Sequence, residues 1–479
     1  MNTDSDAGSF RELFRVSLPL IISAGSHSVM SIADRVMLAG YSPSAESTET
    51  LDIIAAVTPA AMLHWTVACI PIGTVLYANT FISQFDGAGK TKELTASLWH
   101  AVWLAIVSGL ILMLVAPFSH SLFVFAGHSE SVAGQEADYF NTLCYGSVVL
   151  LVPTALSCFF SGRQQTQVVM WVNVISVVIN ISVGYCLIFG NFGLPEMGIR
   201  GAGVATVVAR CVDISLYGIL IRMVARGGDF SFAATIWPRR DLLLKYLRFG
   251  VPSGLHYFVD NSSFLVFLFI VGSLNRDAMA ATNLAFSVNS LIFIPLLGFG
   301  TAVQTLVGHH IGAGLQPAAT RTTWNAVRMG IVWTGAAAVL LICFPTASLQ
   351  PFLMFEEASD NATGTVESVL PVAAGLLQFV AIYSVFDSMA VVFASALRGA
   401  GDTFFPMVIT MCSSWLVMTL PAWLIARSDG ATIDHLWMTC TAHIVFMGVA
   451  MFLRYTSGRW KEFQIVDENL ELEVAAPLD

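Results

Sequence analysis

FDGAGKTKELTASLWHAV, residues 85–102, returns as HIGAGLQPAATRTTWNAV at residues 310–327. Gly87, Ala88, Gly89, Thr95, Trp99, Ala101 and Val102 recur at a constant offset of 225. Each copy follows one long apolar stretch and precedes another, so the chain carries two equivalent halves. A second echo sets SGRQQTQ (161–167) beside LRGAGDT (397–403), with Gly162 aligned to Gly399 at an offset of 237. The acidic insert around Glu356 to Glu367 absorbs the extra residues. Internal duplication of long apolar segments points to the secondary-transporter class.

Composition fixes the solvent. Of 479 residues, 56% are hydrophobic and 11% are charged, with mean hydropathy +0.73, whereas a soluble chain carries roughly 25% charged residues. Apolar stretches long enough to span a bilayer as helices, about 17 to 25 residues, occur at 13–38, 53–83, 94–117, 134–160, 167–190, 201–222, 249–273, 278–308, 322–345, 367–397, 404–426 and 433–454. The expected fold is therefore an all-α integral membrane protein with 12 transmembrane helices in two pseudo-symmetric six-helix lobes. Helices satisfy their own backbone hydrogen bonds, as hydrocarbon requires. An even number of spans per half returns each half to its starting side, so the lobes should be related by an axis along the membrane normal.

The expected division is a cytoplasmic N-terminal tail (1–12), an N-lobe (13–225), an inner-face linker (226–248), a C-lobe (249–456) and an acidic cytoplasmic tail (457–479). The linker, RGGDFSFAATIWPRRDLLLKYLR, reads as an amphipathic interfacial segment that moves as the lobes rock. With both termini cytoplasmic, 17 of the 22 Lys and Arg residues fall on inner segments, the bias that sets orientation in a membrane. MNTDSDAGSF lacks a basic n-region and a short apolar core, so a cleaved leader is not expected. The net charge of −10 speaks against nucleic acid as a partner. The eight cysteines are scattered without CxxC spacing and read as small buried residues. GIRGAG has no preceding strand and no βα pattern around it, so its glycines serve turns and close helix packing rather than a nucleotide. No metal cluster and no nucleophile–base pair stands out, so neither an enzyme nor a bound cofactor is expected.

Charges inside spans carry the functional signal. Asp260, in FVDNSSFLVFLFIVG, is the only charge between Arg248 and Arg276, and a carboxylate at the bilayer centre costs about 2.5 to 3.5 kcal/mol on insertion scales. Counting inward at 1.5 Å per residue puts Asp260 about 18 Å and Asp387 about 16 Å from the inner face. Two carboxylates on different spans of one lobe therefore lie at one level. His256, Tyr257, Asp260 and Ser263 form one polar stripe, and Tyr383 stands one turn before Asp387. Carboxylates held together share a proton or take a cation, and hard oxygen ligands suit Na+; the sequence leaves Na+ and H+ both open. Asp213 has Arg210 three residues earlier and reads as a structural ion pair. Asp34 lies about 28 Å along the first span from Arg15, toward the outer end, where an ion-relay role and a structural or solvated role stand side by side.

The whole then resembles the multidrug and toxic compound extrusion (MATE) transporters. SLPLIISAGSHSVMSIADRVMLAG, GAGK, GNFGLPEMGIRGAGVAT, VGHHIGAG and ALRGAGDTFFP match the family across both lobes. Within it the chain is similar to the NorM-like branch, which implies export of organic cations in exchange for Na+ or H+ from a bacterial inner membrane by a monomer surrounded by lipid. The resemblance places the coupling-cation site at Asp260, where the branch usually has Glu, with Asp387, Tyr383 and Asp34. In the DinF-like branch a helix 5 Asn is followed four residues on by Asp; here Asn180 is followed by Gly184, which leaves Asn180, with His256, Tyr257 and Ser263, as cavity lining. A flippase or exporter for a lipid-linked or endogenous metabolite of the same superfamily is the alternative. It would call for a cationic cavity, opposite to the midplane acids. A channel is a more distant rival.

Overall fold

The computed structural model describes residues 7–41, 47–125, 130–228, 230, 232–356, 363–428 and 430–463. Most of the acidic tail (464–479), residues 1–6 and part of the acidic insert (357–362) lie outside them.

Apolar runs without interior charge become membrane helices, and each expected span meets one. They are α1 (Phe10–Ala39), α2 (Ser47–Leu76 continued by Ala78–Gly87), α3 (Thr91–Met113) and α4 (Glu130–Tyr145 with Ser147–Gly162). Then come α5 (Thr166–Phe189), α6 (Gly198–Arg226), α7 (Arg240–Gly272) and α8 (Arg276–Gly312). The last four are α9 (Gln316–Cys343), α10 (Thr363–Ala400), α11 (Phe404–Ala426) and α12 (Ile433–Thr456). Among the described residues eleven are long and apolar enough to cross a membrane, and α4, bent by 46° at Gly146, makes twelve when its two parts are counted as one span. No strand occurs among the described residues. Four cysteines are buried, but Cys211 and Cys343 are exposed, on a surface that hydrocarbon would cover.

The repeat becomes physical where α2 meets α8. The Asn79 side-chain amide donates to Thr305 Oγ1 at 2.7 Å, and the Gln304 amide donates to Thr80 Oγ1 at 2.7 Å. Asn79 and Gln304, like Thr80 and Thr305, are 225 residues apart, so the two bonds are one contact made twice across the pseudo-two-fold axis. A Cβ on Gly87 would collide with the His309 carbonyl, and one on Gly312 with the Gln84 carbonyl. These partners are again symmetry mates, which is why both positions must be glycine. Gly162 and Gly399 repeat the logic, packing on the backbone of Asn79 and Gln304.

This seam lies at the end of the molecule that carries most of the Lys and Arg residues, called here the basic end. It is reinforced by Gln84 Nε2 donating to the Gly399 carbonyl at 2.8 Å and by Tyr77 donating to the Arg398 carbonyl at 3.2 Å. His309 faces Asp86 and His310 faces Glu12, each at 3.3 Å. Further along, Gly73 on α2 meets Gly254 and Tyr257 on α7, and Asn261 donates to Thr66 Oγ1 at 2.9 Å.

Residues 226–248 pack against the N-lobe. Trp99 donates to the Phe232 carbonyl at 2.9 Å, Trp103 to the Ile236 carbonyl at 2.8 Å, and Tyr246 to the Ser97 carbonyl at 2.9 Å. Tyr246 stacks on Phe81 with centroids 4.4 Å apart. The helix begins at Arg240, inside the stretch read as a linker, because Leu242 and Tyr246 find a buried apolar surface in the N-lobe core. α7 thus starts on one lobe and ends in the other, with Gly250 and Pro252 between.

Candidate functional site

Pro252 lacks the N–H that would bond back one turn, so α7 is loosened just before it reaches Asp260. Asp260 is exposed although it sits in mid-helix. It shares its face with Tyr257 and Phe264, and Phe264 packs on Phe286 of α8 with centroids 4.7 Å apart. That face borders both lobes, with Tyr257 against Gly73 of α2 and Phe264 against α8, so the exposure is to the space between helices and not to the lipid side marked by Phe269 and Leu244. α10 brings Asp387 to the same region, near enough to feel the charge of Asp260. α10 is held there by glycines: Gly448 of α12 sits against the Phe386 carbonyl, and Gly330 of α9 against Ser388.

Tyr383, one turn before Asp387, is 1% exposed and its hydroxyl has no hydrogen-bond partner among the described residues. A buried hydroxyl left unpaired costs about 1 to 3 kcal/mol, and the donor is free to bond an added group. Two carboxylates and one phenol oxygen give a hard, oxygen-rich donor set with a surplus of negative charge.

The other expected lining residues divide. His256 is buried, and its Nδ1 is 2.8 Å from Thr410 Oγ1 of α11. Ser263 is fully buried and donates to the Asp260 carbonyl at 2.9 Å. Each already has a hydrogen-bond partner within the C-lobe or on its own helix. Tyr257 instead faces the other lobe through Gly73.

In the N-lobe, Asn180 is buried and donates to Thr206 Oγ1 at 3.3 Å, and its Oδ1 has no partner among the described residues. Asp34 Oδ1 is also buried without a partner among the described residues, 4.0 Å from where a Cβ on Gly184 would sit. An acid on α1 thus reaches the space beside Gly184 on α5, deeper in the lobe than its position near the helix end suggests. Arg210 Nη1 lies 3.0 Å from Asp213 Oδ2, with Ser176 donating to the same oxygen at 3.1 Å and His27 Nδ1 3.2 Å from Arg210 Nη2. Nothing joins this ion pair to Asp260 or Asp387, which lie in the other lobe. No group of three or more His, Cys, Asp or Glu side chains suited to a metal occurs among the described residues.

Sequence reasoning missed one charged neighbour. Arg398 counts in the sequence as an inner-face cation at a helix end, yet it is only 7% exposed. α10 continues unbroken to Ala400 and buries it under the seam.

Known proteins agree with this architecture. The family model described as MatE matches residues 19–186 and 252–424, one segment in each lobe. The probable multidrug resistance protein NorM of Thermotoga maritima is 27% identical over 455 residues, covering 94% of this chain and 93% of that protein. The probable multidrug resistance protein NorM of Xanthomonas axonopodis pv. citri is 28% identical over 417 residues, 86% of each chain. A solved structure described as the outward-facing conformation of a multidrug resistance MATE family transporter superposes with a TM-score of 0.82 at 16% identity, covering 95% of this chain and 96% of that one.

Proposed function

The chain belongs to the MatE family, and from that premise we propose that it is a secondary active multidrug efflux antiporter. It exports organic cations and other small amphipathic compounds in exchange for Na+ or H+, by alternating access of its two lobes. The observation that carries this reading is the carboxylate pair: Asp260 and Asp387 come from two helices of one lobe, Asp387 feels the charge of Asp260, and Asp260 stands next to Asn261, which makes a cross-lobe hydrogen bond to Thr66.

The basic end is the cytoplasmic side, in keeping with the excess of Lys and Arg on inner segments of membrane proteins. The seam of α2 on α8 then closes the cytoplasmic face, and the structure is the outward-facing state of a multi-pass protein of the bacterial inner membrane. Both lobes come from one chain, so a monomer surrounded by lipid suffices. In this cycle the coupling ion enters from outside and displaces the organic cation from Asp260 and Asp387, because both compete for the same negative charge. The neutralised site then lets the seam open inward, and substrate taken from the cytoplasm expels the ion. Tyr383 offers its unpaired hydroxyl to whichever cation is bound. A pyrophosphate-bearing lipid carrier would be repelled by the same carboxylates.

The test is dye efflux from proteoliposomes under an imposed Na+ gradient and, separately, an imposed pH gradient. Wild-type protein is expected to move ethidium under at least one of them. Asp387→Asn should reduce that flux at least tenfold while the protein still inserts; normal gradient-driven efflux by this variant would remove the assignment.

A further inference from the structure

Arg398 is more than nine-tenths buried, and its Nε and Nη1 have no hydrogen-bond partner among the described residues. Its Nη2 donates to Ser395 Oγ, its own neighbour one turn back, at 3.2 Å. The guanidinium lies over the Tyr257 ring, 5.5 Å from its centroid, and Tyr257 stands three residues before Asp260 on one helical face. No carboxylate bridges it among the described residues: Asp402, just beyond the end of α10, is buried and held by Arg454 at 2.7 Å. The charge of Arg398 is therefore not neutralised where it sits, and it falls on Asp260. A buried cation without an ion pair is costly, so its place over Tyr257, one turn from Asp260, calls for a reason.

We infer that Arg398 is a specificity-determining residue: its fixed positive charge reduces the two-carboxylate site to one net negative charge, so the site holds one monovalent cation and discriminates against divalent organic cations. The inference rests on the reading of Asp260 and Asp387 as the cation site. With both acids ionised the pair alone carries two negative charges and would suit a dication or two monocations. With Arg398 tethered below, one place is already taken. Arg398 touches no substrate in this scheme; it acts through the charge balance of Asp260.

Ethidium and propidium provide the test, because they share a phenanthridinium ring and differ by one permanent quaternary ammonium. Binding of each to purified protein, at fixed Na+ and pH, is read by fluorescence polarisation. Wild-type protein is expected to favour ethidium about tenfold. Arg398→Gln should raise propidium affinity relative to ethidium about tenfold, and Arg398→Lys should keep the wild-type ratio. A wild-type ratio in Arg398→Gln, with ethidium binding still impaired in Asp387→Asn, overturns the inference alone. Ethidium binding that ignores Asp387→Asn overturns the site reading beneath it. If Arg398→Gln does not fold, the wild-type protein decides: equal affinity for the two dyes removes the proposal, and a clear preference for ethidium supports it.

Discussion

Asp260 holds its carboxylate on a side chain one methylene shorter than Glu, and the space in front of it is open. The charge matters more than the reach, so Asp260→Glu is expected to keep gradient-driven ethidium efflux within a few-fold of wild type. Asp260→Asn keeps the size and loses the charge, and its efflux should fall at least tenfold; equal rates for the two variants in proteoliposomes would separate the residue from ion coupling. Asp260 and Asp387 were legible in the sequence because an acid without a local partner stands out in an apolar span. Arg398 was not, because a cation near the end of a span reads as a solvated anchor. Only the unbroken run of α10 to Ala400, and the burial that follows from it, changes that reading. His256 and Ser263 show the opposite limit. Spacing put them on a stripe with Asp260, but spacing says nothing of Thr410 on another helix, or of a hydroxyl turned back onto its own backbone.

At the scale of the element, α7 is the helix that joins the lobes mechanically. Its first turns are fixed to the N-lobe by Tyr246, and its later turns carry Asp260 within the C-lobe. Motion of one lobe against the other must bend it between these regions, where Pro252 removes a backbone hydrogen bond and Gly250 and Gly254 keep the helix slim against Thr74 and Ile70. Pro252→Ala restores that bond, a change in helix preference of up to about 3 kcal/mol. The expected outcome is turnover slowed several-fold with ethidium affinity unchanged, measured as efflux rate beside equilibrium binding. Span positions were readable from hydropathy to within a few residues at most ends. The start of α7 was not, because RRDLLLKYLR is too charged to register as a span and becomes helical only against a surface supplied by α2 and α3.

For the whole molecule, the seam at the basic end decides which side is open in the proposed cycle. His309 and His310 of the C-lobe face Asp86 and Glu12 of the N-lobe, and Asp86 also faces Arg163 at 3.7 Å. These contacts help to hold the two halves together at this end. Spin labels on the basic ends of α2 and α8 should report mainly the short, sealed distance in wild-type protein. His309→Asn combined with His310→Asn should shift that population several-fold toward the longer distance. The duplication behind the seam was visible as shared glycines, whereas its hydrogen bonds were hidden because Asn79 and Gln304 are not identical and their partners lie more than 200 residues away.

The reciprocity of those bonds has a further consequence. A contact in which residue i meets j while the copy of j meets the copy of i has the form of an isologous dimer interface. The halves face each other as the protomers of such a dimer would, each presenting the same Thr and a side-chain amide to the other. Because one chain carries both copies, a single substitution need not suit both sides at once. The extra methylene of Gln304 over Asn79 is a small record of that freedom, and the carboxylates of the C-lobe, faced in the N-lobe by a self-neutralised Arg210–Asp213 pair, are a larger one.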